Sequence, residues 1–459
     1  MRSRATIAWA AYLIPAAGLA LYALLQWLSV LANRVPVMYG EGAVANAARL
    51  ARDGIAYLDV DASRFVAANY PPLYFHLASI VDPFVTGRIA SIVATLAVAA
   101  MVFITARPAG RLAASALAAG WLALAPVMTW GPALKPDLVA LALTAMAVVL
   151  LDRRRDLAPI AGFALVFAAL AKPTALLPGA ALVAWLAWSD RATLARCGFG
   201  AAVAVVAAAV TVYLDSVPDV WRHVVTWNAL SWSLDQAVSI AVIGIVVIGV
   251  STGIAAFAGG LRGARLAYLA GALAIVALGG REGATINYLL DLAVATMLSF
   301  AAIAPKLRPS ALIPLALLAQ LLVGTLWLDP LRVVPGRVPT IGAWSDPLRA
   351  GSIALSFHVD GRYLVEDSGL IVKTGIQPVV DDLFLWSRLV ERGVIDAGPI
   401  VSQVRDGRID SVIAQTDLEH LDTAPGFERQ RWAGILVREV LARYRLAHQV
   451  GDLWIYEPR

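Results

Sequence analysis

The chain has 459 residues, 60% of them hydrophobic and 15% charged, with a mean hydropathy of +0.73, whereas soluble domains average about 45–50% apolar and about 25% charged. This excludes an ordinary soluble domain and places the chain among polytopic membrane proteins. The net charge of +5 does not point to nucleic acid, because the basic residues fall in small groups between apolar runs, and the single cysteine, Cys197, excludes an intrachain disulfide, a cysteine-rich metal site and a thiol relay.

The N-terminus, Met1-Arg2-Ser3-Arg4, leads into an apolar run from Ile7 to Ala32, well beyond the roughly 7–15 residues of a cleaved signal; it reads as an uncleaved first span. Ten further runs are long enough to cross, or nearly cross, a hydrocarbon core of about 30 Å: Ile89–Ala106, Leu112–Trp130, Leu138–Leu151, Leu157–Ala171, Thr174–Trp188, Cys197–Leu214, Ala237–Leu261, Leu266–Leu278, Ala284–Ala304 and Ala311–Leu328. The expected architecture is a polytopic α-helical membrane protein of about 11 transmembrane helices over residues 1–329, followed by a small α/β domain over 330–459.

Orientation follows from the connections. One alternating set, from Arg2 and Arg4 to Lys306 and Arg308, carries 13 basic residues, while the short loops of the other set carry four, Lys135, Lys172, Arg222 and Arg281. The basic set marks the cytoplasmic side, so the first loop (33–88), the loops bearing those four residues and the C-terminal domain are expected to be extracytoplasmic.

Within the first loop, Val44, Ala47, Ala48, Ala51 and Ile55 recur at helical spacing opposite Asn46, Arg49, Arg52 and Asp53, with Glu41 at the start and Gly54 as a stop. The pattern predicts an amphipathic helix lying in the membrane interface. Asn69-Tyr70-Pro71-Pro72 then imposes an extended return to the bilayer. In the tail, Ile353–Val359, Leu370–Lys373 and Ser411–Gln415 read as short strands, Asp382–Arg392 and Trp432–Tyr444 as helices, and Val450-Gly451-Asp452-Leu453 as a hairpin turn into Trp454–Tyr456.

The chemistry concentrates on one face, where Glu41, Lys135, Asp137, Lys172 and Arg281 stand at the ends of different spans. Charges there commonly face a wet, protein-lined cavity, although a lone basic residue also serves as a snorkelling anchor. Lys135-Pro136-Asp137 sets opposite charges side by side in a very short loop, which an anchor does not require. Glu41 lies between Gly40 and Gly42; it reads either as a reactive carboxylate left uncrowded by its neighbours or as an acid stabilised at a helix N-terminus. The five histidines, His76, His223, His358, His420 and His448, show no metal-ligand spacing.

Tyr39-Gly40-Glu41-Gly42, Ala48-Arg49-Leu50, Gly54-Ile55-Ala56-Tyr57 and Asn69-Tyr70-Pro71-Pro72-Leu73-Tyr74, followed by Lys135 with Asp137, Ala171-Lys172-Pro173-Thr174-Ala175-Leu176 and Asn287-Tyr288-Leu289-Leu290, together resemble bacterial members of the GT-C superfamily. These are polytopic glycosyltransferases related to protein O-mannosyltransferases and lipid A aminoarabinose transferases. The resemblance covers the membrane region and extends loosely into the tail at Ser356–Gly361 and Asp406–Ile413. It implies inverting transfer of a sugar from a polyprenyl-phosphate donor to a glycan, lipid or protein acceptor at the outer side of the inner membrane. An inverting displacement needs one base, and a departing lipid phosphate needs cations. The expectations are therefore Glu41 as general base assisted by Asp137, a donor-phosphate site of Lys135, Lys172 and Arg281, and Asn69, Tyr70 and Tyr288 along the substrate. The family often carries an Asp or an Asp-Glu pair in its first loop; here Gly40 precedes Glu41, so no metal ligands are assigned, while a divalent cofactor stays open. Two other readings are a lipid or sugar transporter, which calls for repeats and mid-span charges that are not visible, and a non-catalytic scaffold for envelope assembly.

Overall fold

The computed structural model describes residues 2–32, 36–59, 61–213, 217–328 and 357–459. The first part is helical throughout: α1 (Arg2–Ala32), α2 (Glu41–Arg52), α3 (Pro72–Ala78), α4 (Pro83–Ala106), α5 (Arg111–Leu122), α6 (Ala125–Trp130), α7 (Asp137–Arg153), α8 (Ala158–Ala171), α9 (Leu176–Ser189), α10 (Arg191–Tyr213), α11 (Val217–Trp221), α12 (Leu234–Phe257), α13 (Gly263–Leu278), α14 (Leu290–Leu307) and α15 (Leu312–Leu328). Apart from α2, α3 and α11, these helices carry the apolar segments of the sequence. The run Leu112–Trp130 is divided, because Leu124 is extended and Pro126, without an N–H, opens a new helix.

Among the described residues, five helices are long and apolar enough to cross a membrane unaided: Arg4–Leu31, Pro83–Ala109, Arg191–Ala209, Leu234–Phe257 and Ile286–Leu307. Helices α7, α8, α9, α13 and α15 have 14 to 17 residues, roughly 21–26 Å at 1.5 Å per residue. The outside of the bundle is apolar. Ile7, Ile14, Leu21 and Leu28 recur every seven residues on α1 and all are exposed, while Phe257 and Trp188 are 98% and 94% exposed; such a surface suits hydrocarbon and not water. Inside, α14 packs against α4, α5, α12 and α13 and forms the centre of the bundle.

The tail is a four-stranded sheet with helices on it. Strands β1 (Tyr363–Val365), β2 (Ser411–Ala414), β3 (Tyr444–Val450) and β4 (Leu453–Pro458) take the order β1-β2-β4-β3, with β1 parallel to β2 and the other pairs antiparallel. Helices Leu383–Glu391, Gly398–Arg405 and Gly434–Arg443 bury Trp386, Leu389, Val401, Val404, Leu436 and Val440 in one cluster with Leu364, Val412 and Tyr456. Two expectations change here. The expected strand Leu370–Lys373 is instead a helical turn, Gly369–Val372, because Leu370, Ile371 and Val372 are all fully buried, and a short apolar run enclosed on every side carries no period to distinguish strand from helix. Residues 353–356 of the expected strand Ile353–Val359 lie outside the described residues, and Val359 itself falls in a turn.

The position of α2 also differs from the sequence reading. Its apolar face packs Val44, Ala47, Ala48 and Ala51 against Tyr57 and Phe75, but its polar face is not left in an interface. Asn46 Nδ2 donates to Asp381 Oδ2 at 2.9 Å and Arg49 donates to the Val372 carbonyl. A Cβ on Gly42 would lie 2.0 Å from the Gly369 nitrogen, so glycine there permits the tail to press onto the helix. Phe65 extends the join: its N–H donates to Val379 O at 2.9 Å, and its carbonyl accepts from Asp381 N–H at 3.2 Å. The tail is thus seated on the first loop.

Candidate active site

The site begins at a turn. Gly40 takes φ +81 and starts α2, placing Glu41 where its carboxylate ties three segments together. Glu41 Oε2 accepts from Val37 N–H at 2.9 Å and from Arg88 Nη2 at 2.7 Å, and Oε1 accepts from Leu134 N–H at 2.7 Å. Arg88 Nη1 in turn donates to Val30 O at 2.9 Å. The first-loop turn, α4 and the loop before α7 are thereby held at one point, which brings Lys135 over Gly40: a Cβ on Gly40 would stand 2.7 Å from Lys135 Nζ.

Between this turn, the ends of the membrane helices and the tail lies a cavity of about 290 Å³. Among the described residues, the Lys135 ammonium on its wall makes no hydrogen bond and no ion pair. Burial lowers its pKa, while Asp382, Asp137 and Glu41 nearby act to raise it. Asp137, the first residue of α7, is 5% exposed; its Oδ1 accepts from Lys172 Nζ at 2.6 Å and from Asn287 Nδ2 at 2.7 Å, and its Oδ2 has no partner. Lys172 sits 5.2 Å from the centre of the Tyr288 ring. Arg281 Nη1 donates to Asn228 O at 2.8 Å, leaving its Nε unpartnered.

The tail forms the opposite wall. Asp382 caps the helix Leu383–Glu391, its Oδ1 accepting from Leu385 N–H at 3.0 Å and from the Tyr39 hydroxyl at 3.2 Å. Burial pushes its carboxyl above the usual range, with Lys135 and Arg431 acting in the opposite direction. The Arg431 guanidinium lies 4.3 Å from the Tyr39 ring centre and 4.7 Å from that of Phe427, and donates to Glu366 Oε1 at 2.7 Å. Phe384 and Phe427 complete an aromatic corner, with centroids 5.4 Å apart.

Of the residues singled out in the sequence, Asn69, Tyr70, Lys135, Asp137 and Arg281 line the cavity. Glu41, Lys172 and Tyr288 are not part of that lining. Both oxygens of Glu41 are taken, and its side chain is 0% exposed, which does not suit the expected base. The Lys172 ammonium is committed to Asp137, which does not suit a free phosphate ligand. Asp382, Arg431, Phe384, Phe427, Tyr39 and Asn228 also line the cavity, and the sequence assigns none of them a place in the site. For Asp382 the only local signal, an acid before an apolar helix, is that of a helix cap.

A divalent ion does not fit this donor set. Asp137 Oδ1 is filled by two donors, and the Lys135 ammonium lies near Asp137 and Asp382, two of the three carboxylates on the wall with Glu282; among the described residues no three His, Cys, Asp or Glu side chains converge as ligands.

No protein-family model matches the sequence, and no curated protein matches it either. Solved structures do. The crystal structure of ArnT from Cupriavidus metallidurans in the apo state superposes with a TM-score of 0.62 at 13% identity, covering 97% of this chain and 98% of that one. The ArnT structure from the same organism bound to undecaprenyl phosphate gives 0.61 at 14% identity with the same coverage. Across bundle and tail alike, this chain shares the fold of these ArnT structures.

Proposed function

We propose that the protein is an inverting glycosyltransferase that takes a sugar from a polyprenyl-phosphate carrier and passes it to an acceptor hydroxyl in this cavity. The observation that carries the reading is the unbonded Lys135 ammonium on the wall of a cavity that Arg281 and Asp137 also line, the Oδ2 of Asp137 having no partner. The Lys135 ammonium is buried near Asp382, Asp137 and Glu41 but bonded to none of them; a buried charge with no direct partner is costly, and a phosphate would supply one while using the Arg281 guanidinium as well. The ArnT structure with undecaprenyl phosphate bound supports a polyprenyl carrier.

In the step itself the acceptor oxygen attacks the anomeric carbon as the bond from that carbon to the phosphate oxygen breaks. The electron pair leaves with the phosphate, held by Lys135 and Arg281. The acceptor proton passes to Asp137 Oδ2, which the Lys172 and Asn287 bonds to Oδ1 hold in place. Glu41 acts through position, fixing the turn that keeps Lys135 over Gly40. Tyr70 and Asn69 flank the sugar, and the tail closes the far side with Asp382 and Arg431. In this reading all eleven apolar segments cross or enter the inner membrane, the N-terminus is cytoplasmic, and cavity and tail face the other side.

The test is direct. Purified protein in lipid nanodiscs is given a panel of labelled polyprenyl-phosphate sugars with a lipid extract as acceptor source. Release of polyprenyl phosphate together with transfer of label is expected for at least one donor; donors that bind but are never consumed would overturn the transferase reading.

A further inference from the structure

A second cavity lies at the opposite end of the bundle, and nothing in the transfer reaction uses it. It measures about 500 Å³ and is lined by Ala5, Thr6 and Trp9 of α1, by Ala109 and Gly110 with the first residues of α5, Arg111 to Ala113, and by Pro305, Arg308 and Pro309 at the end of α14. The C-terminal end of α1 touches the transfer site through Val30 and Arg88, so Trp9 stands about 30 Å below it at 1.5 Å per residue.

Its chemistry is that of an anion site. Arg111 and Arg308 both line it, no carboxylate does, and neither guanidinium has an ion-pair partner among the described residues. The α5 helix begins there on Gly110 without a side-chain cap, leaving its first N–H groups and the positive end of its dipole toward the cavity. Trp9 is 2% exposed, yet its indole N–H has no acceptor.

Two of these helices, α1 and α5, together with α4, also border an apolar groove. Ala17, Ala20, Leu21 and Leu24 of α1, Ala99, Ala100, Phe103 and Ile104 of α4, and Ser115, Ala118, Ala119 and Leu122 of α5 line a trough of about 570 Å³. Thr6 and Trp9 stand eleven residues before Ala17 and Ala20, just over three turns at about 3.6 residues each, so cavity and trough share one face of α1. A cationic pocket followed by an apolar trough along the same face matches the two halves of a phospholipid.

We infer that this end of the bundle binds an anionic phospholipid, its headgroup phosphate against Arg111, Arg308 and the Trp9 N–H and one acyl chain along the α1–α4–α5 trough. The site is separate from the transfer cavity and does not depend on the transferase reading.

The experiment titrates phosphatidylglycerol into the purified, delipidated full-length protein and reads melting temperature and lipid retention by native mass spectrometry. Phosphatidylcholine and inorganic phosphate form the two comparison arms. The expected result is a saturable rise of several degrees with phosphatidylglycerol alone, with apparent affinity reduced tenfold or more in Arg111→Gln/Arg308→Gln. Ala17→Trp, at an exposed position on the trough wall and without touching a charge, should reduce it as well. Equal shifts from phosphatidylcholine would overturn the anion site, and a full shift from millimolar phosphate alone would overturn the lipid assignment. A double variant that melts at the parent temperature without lipid but keeps full phosphatidylglycerol affinity would overturn the role of the two arginines.

Discussion

Glu41 and Arg88 form an ion pair of 2.7 Å in which neither side chain is more than 1% exposed. The pair is a clamp, since Glu41 also accepts two backbone N–H groups and Arg88 also holds the end of α1. Removing one partner of a buried pair leaves an uncompensated charge, which costs about 3–5 kcal/mol. Glu41→Gln is therefore expected to lower unfolding stability by that order and to lose donor binding and turnover together. Unchanged stability with turnover alone abolished would return Glu41 to the role of general base.

Lys135 differs because its ammonium has no partner to lose. Lys135→Ala should leave the melting temperature unchanged or raise it, while weakening donor binding by about tenfold to 150-fold, the worth of one charged hydrogen bond of about 1.5–3 kcal/mol. Arg281→Ala should also weaken donor binding, whereas the exposed Arg408→Ala should not. Donor titration of the three variants decides the matter: equal affinities would leave Lys135 and Arg281 without a role in phosphate binding.

Asp137→Asn keeps the shape of the side chain and its acceptor oxygen toward Lys172 and Asn287 but removes its basicity. Turnover should fall by about 10²–10⁴ with donor affinity nearly intact. Single-turnover kinetics and donor binding in one preparation check it, and near-normal turnover would exclude Asp137 as the base.

Gly42 marks where the tail meets α2. Gly42→Ala would place a methyl group 2.0 Å from the Gly369 nitrogen, and overpacking of this kind costs about 1–3 kcal/mol. The tail should become more sensitive to limited proteolysis, and because Asp382 and Arg431 ride on it, turnover should fall along with the docking. A tail of unchanged protease resistance would show that the contact can relax.

His223 supplies a pH dependence. It is 1% exposed, its Nδ1 accepts from Ala68 N–H at 3.2 Å, and burial with the nearby Arg222 pulls its pKa down to about 3. The unfolded chain takes up this proton near pH 6.5 and the folded chain only near 3. The stability this neutral ring provides is complete above pH 6.5 and declines as the pH falls through that window, by about 1.4 kcal/mol per unit. Melting curves from pH 7 to pH 5 should show the decline, and His223→Gln should remove most of it. An identical pH slope in the variant would assign the decline to other groups.

Much of the architecture was legible in the chain because hydrocarbon imposes a simple rule: backbone polar groups must pair within each helix, so long apolar runs such as Ile7–Ala32 and Ala237–Leu261 have to be helical. The convergence of Lys135, Asp137 and Arg281 was legible for a related reason, since charges at span ends gather where water is. Local sequence could not say how each charge is spent. Nothing adjacent to Lys172 shows that it neutralises Asp137 from 35 residues away, and nothing beside Glu41 shows the guanidinium of Arg88 beneath it.

By itself, then, the sequence determined the helical bundle, the helix beginning at Asp382 and the stop at Gly54, all of which depend on the chain within a few turns of each residue. Tertiary structure alone decided that the tail sits on α2, that Gly40 leaves room for an ammonium instead of a neighbouring acid, and that Asp382 and Arg431 close a cavity opened by helices more than 90 residues earlier in the chain. The physical reason is that a partner's identity depends on which surfaces meet in space, and a carboxylate carries no local mark of whether a cation, an amide or a substrate will fill its last lone pair.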